Sequence, residues 1–358
     1  MTKRKLLPAL SNLKKEGKLA EDFEVIGIGR RDLKDTFAKE LEEDFAKIVT
    51  YYQMDFLQES EYPALVKFLE EKNCSDSVFF LSVAPEFYGN IAKSISGFKN
   101  STVIVEKPFG YDLETSEILN KELVNYLQEE QIYRIDHYLG KDSVRNLPRI
   151  NTEEVSYVQI TAKEDIGIEG RGPFYEKAGA LRDMVQNHMM EVTAQILRKD
   201  GNIREEKARA LKTLVIEEAV NAQYESYRSE DRVSKDSNTE TYAFLKLVSG
   251  ELPIYIRTGK KLDKKQTSVF IKYKDGREKF YDLRKGNVGN GYDELLLSAI
   301  KKDNKLFVPY ETVEATWKLL TPLLLKWEKE TPVFYKDGTD GPKEVDEILK
   351  KDGLTWHE

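Results

Sequence analysis

The residues of this chain best suited to chemistry fall in a few short runs. Arg134-Ile135-Asp136-His137-Tyr138-Leu139-Gly140-Lys141 places an acid, an imidazole, a phenol and an ammonium within one turn-sized stretch. The whole chain has 3 histidines, at His137, His188 and His357. Spending one of them beside Asp, Tyr and Lys suits an anion such as phosphate, because the donors differ in reach and Lys brings a charge. A solvated polar turn after a strand has the same residue types, and types alone leave the two readings level.

A second run, Asp183-Met184-Val185-Gln186-Asn187-His188, lies on a helical pattern downstream of the Gly-rich Glu169-Gly170-Arg171-Gly172-Pro173. A neutral imidazole is the side chain best matched to removing a proton near pH 7. Such a base needs a carboxylate to orient it, and Asp136 is a candidate. The competing reading is a capped or core histidine.

Glu106-Lys107-Pro108-Phe109-Gly110 directly follows an apolar strand. Ligands of open α/β sheets bind at the carboxyl ends of strands, so Lys107 can reach both a cofactor and a substrate hydroxyl. Pro108 biases Lys107 toward extended backbone. Arg257-Thr258-Gly259-Lys260-Lys261 reads as a basic turn, either meeting a phosphate or lying at a solvated edge. Arg30 and Arg31 follow a strand ending at Gly29; at that place Arg suits the 2′-phosphate of NADP, and Asp32 comes late for the acid that would select NAD.

The elements that must position these groups are of two kinds. Leu6, Leu7, Leu10 and Leu13 have helical spacing, stopped by Gly17. Glu24 to Gly29, Val78 to Val83 and Thr102 to Val105 are apolar strands without alternation, as in a parallel sheet covered on both faces. Helical stretches intervene at Tyr62 to Lys72 and Glu86 to Ser96, and Asp112 can cap a helix carrying Ile118, Leu119, Leu123 and Leu127. This is a βαβ series, hence an α/β, doubly wound domain over residues 1–145. Its opening is unusual, because a helix comes first and neither a first strand nor a Gly-rich phosphate turn precedes it. Over 146–358 the pattern changes to an α+β domain with an antiparallel sheet: strands at Val155 to Ile160, Tyr242 to Val248 and Ser268 to Tyr273, and helices at Leu181 to Leu197 and Val313 to Trp327. The polar stretch Glu225 to Asn238 reads as a surface loop.

Composition narrows the classes. At 358 residues, the chain holds about two domains. A net charge of −7 argues against a general nucleic-acid binder, and no apolar stretch is long enough to span a bilayer. The basic start Met1-Thr2-Lys3-Arg4-Lys5 leads into no signal-type apolar core, and Cys74 is the one cysteine, expected to be inert. Both fit a reducing, cytoplasmic setting. A Cys/His metal site is not expected.

Taken together, these runs resemble the glucose-6-phosphate dehydrogenase family. Lys3 to Leu6, Val105 to Gly110, Gln131 to Lys141, Glu169 to Gly172, Arg182 to His188 and Arg257 to Lys260 occur in the family's order, and Tyr292 to Trp317 resembles its C-terminal region. The most specific segment is Asp136 to Lys141. The resemblance implies oxidation of glucose 6-phosphate to 6-phosphogluconolactone with hydride transfer to NADP, with NAD as the other option. It implies His188 as the general base, oriented by Asp136. It places the substrate phosphate at His137, Tyr138 and Lys141 with Lys260 nearby, and the sugar hydroxyls at Lys107, Glu164 and Asp183. It assigns Arg30 to the cofactor 2′-phosphate, with Pro85, Tyr88 and Lys107 along the cofactor. It also implies a homodimer through the C-terminal sheet. The family's N-terminal strand and its Gly-x-x-Gly-Asp-Leu turn have no counterpart here, and the sheet region between Lys274 and Tyr292 is shortened. The alternative is a degenerate, non-catalytic sugar-phosphate binder with impaired cofactor binding. Retention of His188 and Asp136 argues against it, since binding alone needs no base.

Overall fold

In a computed structural model, residues 2–72, 76–98, 100–285 and 291–358 are described; Cys74 lies outside them. The chain forms two compact units: Met1–Phe109 with Glu117–Gly140 and Asn287–Val308, and Gly110–Ser116 with Lys141–Gly286 and Pro309–Glu358. Among the described residues no helix is long and apolar enough to cross a membrane.

In the first unit the helix Leu7–Lys15 ends before Gly17, whose φ of +65° suits a residue without a Cβ. Strands β1 (Val25–Gly29) and β2 (Val49–Gln53) pair in parallel. Strands β3 (Ser77–Leu81), β4 (Ser101–Val105) and β5 (Ile132–Arg134) make a separate parallel sheet in that order. The two pieces, β2-β1 and β3-β4-β5, reproduce the doubly wound order 3-2-1-4-5-6 without its central strand among the described residues. β4 is buried throughout, whereas β1 and β3 leave Ile28 and Val78 exposed.

The first helix spans both pieces. Leu7 joins a cluster with Phe37, Phe45 and Val49 under β1 and β2. Leu6, Ala9 and Leu13 join Ile104, Tyr133 and Ile135 of the other piece, together with Leu295 and Leu296 of the helix Tyr292–Ile300. β2 and β5 fall outside the expected strands; β5 is only three residues long and ends in Arg134, too short to show a pattern.

The second unit is built on seven strands: β6 (Val155–Lys163), β7 (Leu214–Tyr224), β8 (Tyr242–Ser249), β9 (Leu252–Gly259), β10 (Gln266–Tyr273), β11 (Glu278–Asp282) and β12 (Val333–Tyr335). Their order is β11-β10-β6-β9-β8-β7-β12. The expected antiparallel sheet is in fact mixed, because β6 pairs with β9, and β7 with β12, in parallel. β9 follows β8 in a tight hairpin and reaches β6 only after the helices and strands between them, while β12 reaches β7 after the helix Tyr310–Trp327; a direct hairpin would make each pair antiparallel. A helical segment, Leu181–Met189, packs on β6, β8 and β9. The helix Lys343–Lys351 adds Val345, Ile348 and Leu349 to a cluster with Tyr224, Tyr242, Phe244 and Tyr255.

The stretch Glu225 to Asn238 is a loop, as its composition suggests, but not a purely superficial one. Tyr227 is fully buried and its hydroxyl donates to Glu176 Oε1 at 2.7 Å. Its two apolar members, Tyr227 and Val233, are drawn into the core by burial that a count of polar neighbours hides.

Candidate active site

In the first unit the chemistry gathers at the ends of two adjacent parallel strands. β4 runs into Glu106-Lys107-Pro108, with a cis Lys107–Pro108 peptide, and β5 runs into Ile135-Asp136-His137-Tyr138. The Ile135 N–H donates to the Val105 carbonyl at 3.0 Å, so the pairing continues to the edge of both runs. Beneath them the Arg134 guanidinium is buried and held by Glu129 at 2.7 Å and by Asn120 at 2.6 Å. That arginine anchors the strand end, and the next polar residue along the chain is Asp136.

Asp136 is buried, and its Oδ1 accepts the Tyr138 N–H at 2.9 Å, a local turn that fixes the His137–Tyr138 step. His137 is half-buried and parallel to the Tyr292 ring, with centroids 6.3 Å apart. The Tyr292 hydroxyl donates to Glu106 Oε1 at 3.0 Å, and the Lys5 ammonium lies 5.1 Å from the Tyr292 ring centre. Burial pushes the Glu106 carboxyl up; the Tyr292 hydroxyl, Lys5 and Lys107 pull it back, and Asp136 pushes it further up.

A glycine contact seats this run. A Cβ on Gly140 would lie 2.0 Å from the Gly291 carbonyl oxygen, and one on Gly291, at φ +78°, would lie 2.6 Å from the His137 carbonyl oxygen. Only two glycines let the Asp136–Gly140 turn meet the start of the helix that carries Tyr292.

The residues expected along a cofactor lie at three strand ends of this unit. Arg30 follows β1, is exposed, and stacks its guanidinium 5.5 Å over the Phe56 ring. Pro85 opens the short turn after β3. Tyr88 is buried, donates its hydroxyl to the Glu106 carbonyl at 3.1 Å and receives the Glu106 N–H at 3.3 Å, so it supports the Glu106–Lys107 turn from below. An exposed arginine for a phosphate, a proline-edged turn and a lysine at successive strand ends fit a nicotinamide dinucleotide.

In the second unit, β6 and β9 end side by side at Lys163 and Gly259, and the Glu164 N–H donates to the Gly259 carbonyl at 2.9 Å. This register sets Glu164 beside Lys260, and the Lys260 ammonium pairs with Glu164 Oε2. The Lys260 backbone is pinned by the Tyr335 hydroxyl at 2.6 Å and by the Thr241 carbonyl at 3.0 Å. Tyr175, fully buried, has Lys260 5.4 Å from its ring centre and feels the charges of Asp183, Glu240 and Glu164. Burial, and then those charges, push its phenol well above the ordinary range. Lys141 opens the short helix Asp142–Arg145 of this unit.

Asp183 and His188 lie on Leu181–Met189, which is wound as a π-helix. Its i→i+5 hydrogen bonds stack residues five apart about one turn above each other, so Asp183 and His188 share a face. In an α-helix the same spacing would separate them by about 140°. His188 is buried and Asp183 half-buried.

Arg257 departs from the basic-turn reading. It lies inside β9, fully buried, bonded to Thr161 at 3.2 Å, Asp340 at 2.8 Å and Glu358 at 3.2 Å, with Trp356 stacked 4.1 Å away. Strand alternation sends it away from Lys260 and into a structural ion cluster. Sequence reasoning assigned no role to Glu106, Tyr175, Glu240 or Tyr292. Their signal is a contact between residues distant in the chain, which spacing does not carry.

A parallel βαβ unit with Lys and Arg at its strand ends, in one chain with a mixed-sheet unit that carries a histidine and carboxylates, defines a nicotinamide-dinucleotide oxidoreductase. Comparison with known proteins narrows the class. The family model "Glucose-6-phosphate dehydrogenase, NAD binding domain" matches residues 1–146, and "Glucose-6-phosphate dehydrogenase, C-terminal domain" matches 147–290 and 280–357. A glucose-6-phosphate 1-dehydrogenase of Bacillus subtilis is 30% identical, over 99% of this chain and 96% of that protein. One from Arabidopsis thaliana, named cytoplasmic, is 30% identical over 99% of this chain and 89% of its own length. A solved glucose-6-phosphate dehydrogenase in complex with glucose 6-phosphate superposes with a TM-score of 0.89 at 25% identity, covering 100% of this chain and 96% of that one. The Mycobacterium avium enzyme follows with a TM-score of 0.84 at 26% identity, covering 100% of this chain and 96% of its own. The chain belongs to the glucose-6-phosphate dehydrogenase family.

Proposed function

We propose that this protein oxidises glucose 6-phosphate at C1 to 6-phosphogluconolactone and passes the hydride to NADP. The observation that carries the reading is the family match over both parts of the chain, joined to the strand-end placement of Lys107 and of the Asp136–Tyr138 run. A nicotinamide ring, when bound, supplies the hydride acceptor. The chain's own residues do the rest. His188 takes the proton from the C1 hydroxyl, and Asp136 orients its imidazole and stabilises the imidazolium. His137, Tyr138 and Lys141 hold the substrate phosphate, with Lys260 near it. Lys107, Glu164 and Asp183 bind sugar hydroxyls and so fix C1 against the base. Arg30 would receive the 2′-phosphate that distinguishes NADP from NAD, with Pro85, Tyr88 and Lys107 along the rest of the cofactor.

We read 1–145 as the dinucleotide domain and 146–358 as the substrate domain. The mixed sheet is our candidate for a homodimer contact, and a cytoplasmic setting is supported by the cytoplasmic relative in Arabidopsis. The test follows absorbance of the reduced cofactor with purified protein, glucose 6-phosphate and NADP. Steady turnover that depends on both substrates is expected; none at saturating concentrations of both would overturn the reading.

A further inference from the structure

The π-helical segment that carries Asp183 and His188 begins in an unusual way. The helix before it, Gly172–Ala180, is broken at Gly179, where φ is +62° and ψ is 178°. The break leaves the first N–H groups of the following segment without partners from its own helix. Both of the first two are met by one residue from outside. The Ala180 N–H donates to the Glu240 carbonyl oxygen at 2.9 Å, and the Leu181 N–H donates to Glu240 Oε1 at 2.9 Å.

The fit is close. A Cβ on Gly179 would lie 2.3 Å from Glu240 Oε1 and 2.5 Å from Oε2, so the carboxyl occupies the space a side chain would need. Glu240 precedes β8 and is buried. Its neighbour Thr241 accepts the Lys260 N–H at 3.0 Å, so the same short stretch also sets the backbone of Lys260.

We propose that Glu240 is a positioning residue for the reaction: by capping the π-helical segment from outside, it holds Asp183 and His188 in register with the Glu164–Lys260 pair. The proposal rests on the assignment of His188 as base made above. A negative charge at a helix start is also favoured by the helix dipole, which adds to the hydrogen bond. Burial raises the Glu240 carboxyl to about 7; the Leu181 N–H and Arg182 act to lower it, and Glu328 to raise it. The phenols of Tyr175 and Tyr227 also face it. Near neutral pH the cap therefore exists in a charged, strong form and a neutral, weaker one.

The test compares Glu240→Gln, which keeps an acceptor oxygen without charge, with Glu240→Ala, which removes it. Steady-state constants for glucose 6-phosphate and NADP are measured from pH 6 to 8, with hydrogen exchange of the peptide spanning 181–189. Glu240→Ala is expected to lower kcat by about tenfold or more, with KM changed less, and to speed exchange in 181–189 beyond the rest of the protein. Glu240→Gln is expected to restore most of that loss. It should trail the wild type by about threefold at pH 8 and match it near pH 6, where Glu240 itself is neutral. A Glu240→Ala kcat within threefold of wild type overturns the proposal. So does a wild-type to Glu240→Gln ratio that does not change with pH. If Glu240→Ala does not fold, that ratio decides alone. If the wild type itself does not turn over, the assignment of function fails instead, and the ratio of exchange in 181–189 between wild type and Glu240→Gln, compared at pH 6 and at pH 8, decides the positioning role.

Discussion

The Tyr292 hydroxyl donates to Glu106 Oε1 at 3.0 Å, joining residues 186 positions apart in the chain. Tyr292 also lies parallel to His137, so one aromatic ring links the carboxylate at the end of β4 to the imidazole beyond the end of β5. Tyr292→Phe should break this link while keeping the ring. Burial already raises the Glu106 carboxyl, and loss of the donor should raise it further. A carboxyl raised on folding takes up a proton as the chain folds, so stability declines as pH climbs from the ordinary carboxylate range through the raised value. The variant should lose about 1.5–3 kcal/mol at pH 8 and much less at pH 4. Urea midpoints at the two pH values check it; an equal loss at both would count against the charged form of Glu106.

His188→Ala should remove the base and leave the phosphate contacts in place. A drop in kcat of about 10² to 10⁴ is expected, with calorimetric affinity for glucose 6-phosphate within a few-fold of wild type. Parallel loss of affinity and turnover would show that His188 serves binding instead.

Gly140→Ala should drive the Asp136–Gly140 turn off the helix start at Gly291, because the added Cβ would sit 2.0 Å from a carbonyl oxygen that cannot yield without moving backbone. About 1–3 kcal/mol of stability should be lost, together with a rise in KM for glucose 6-phosphate as His137 and Tyr138 shift. A melting curve and a substrate titration on the same preparation test both halves.

Arg30→Ala should leave the rest of the protein unaffected, since the side chain is exposed and its neighbour is the Phe56 ring. The ratio of kcat/KM for NADP over NAD should fall by about tenfold or more, through loss of a charged pair with the 2′-phosphate. An unchanged ratio would move cofactor selection to other residues.

Much of this architecture was legible because periodicity and burial agree. The non-alternating run Thr102 to Val105 became β4, buried at every position, and the Asp112 cap is seen in its bond to the Thr115 N–H at 2.8 Å. A candidate site could be read where types cluster within a few residues, as from Asp136 to Lys141. What stayed hidden depends on pairings between distant residues. Strand direction in the mixed sheet is set by where chains return, not by local pattern. Arg257 read as part of a basic turn, meeting a phosphate or lying at a solvated edge, until its partners Asp340 and Glu358, far along the chain, were in place. The π-winding of Leu181–Met189 has no composition signal, because its residues satisfy an α-helical pattern equally well.

The divided parallel sheet bears on how the molecule comes apart. Among the described residues β1 and β2 share no hydrogen-bonded ladder with β3, β4 and β5, and the buried cluster beneath them holds Leu7, Phe37, Phe45 and Val49. A ladder shared across all five strands would make the two parts melt together; side-chain contacts through the first helix, the Tyr52–Phe68 pair and the Lys72–Glu24 ion pair do not enforce that. Heating should therefore uncouple the β1–β2 piece, and Arg30 with it, before the main transition. Calorimetry would record a small early endotherm ahead of the large one, and fluorescence of a probe beside Arg30 would change in the first step while one in the mixed sheet waits for the second. The piece that carries Arg30, the residue proposed for the cofactor phosphate, would then be the earliest part of the protein to lose its cooperativity.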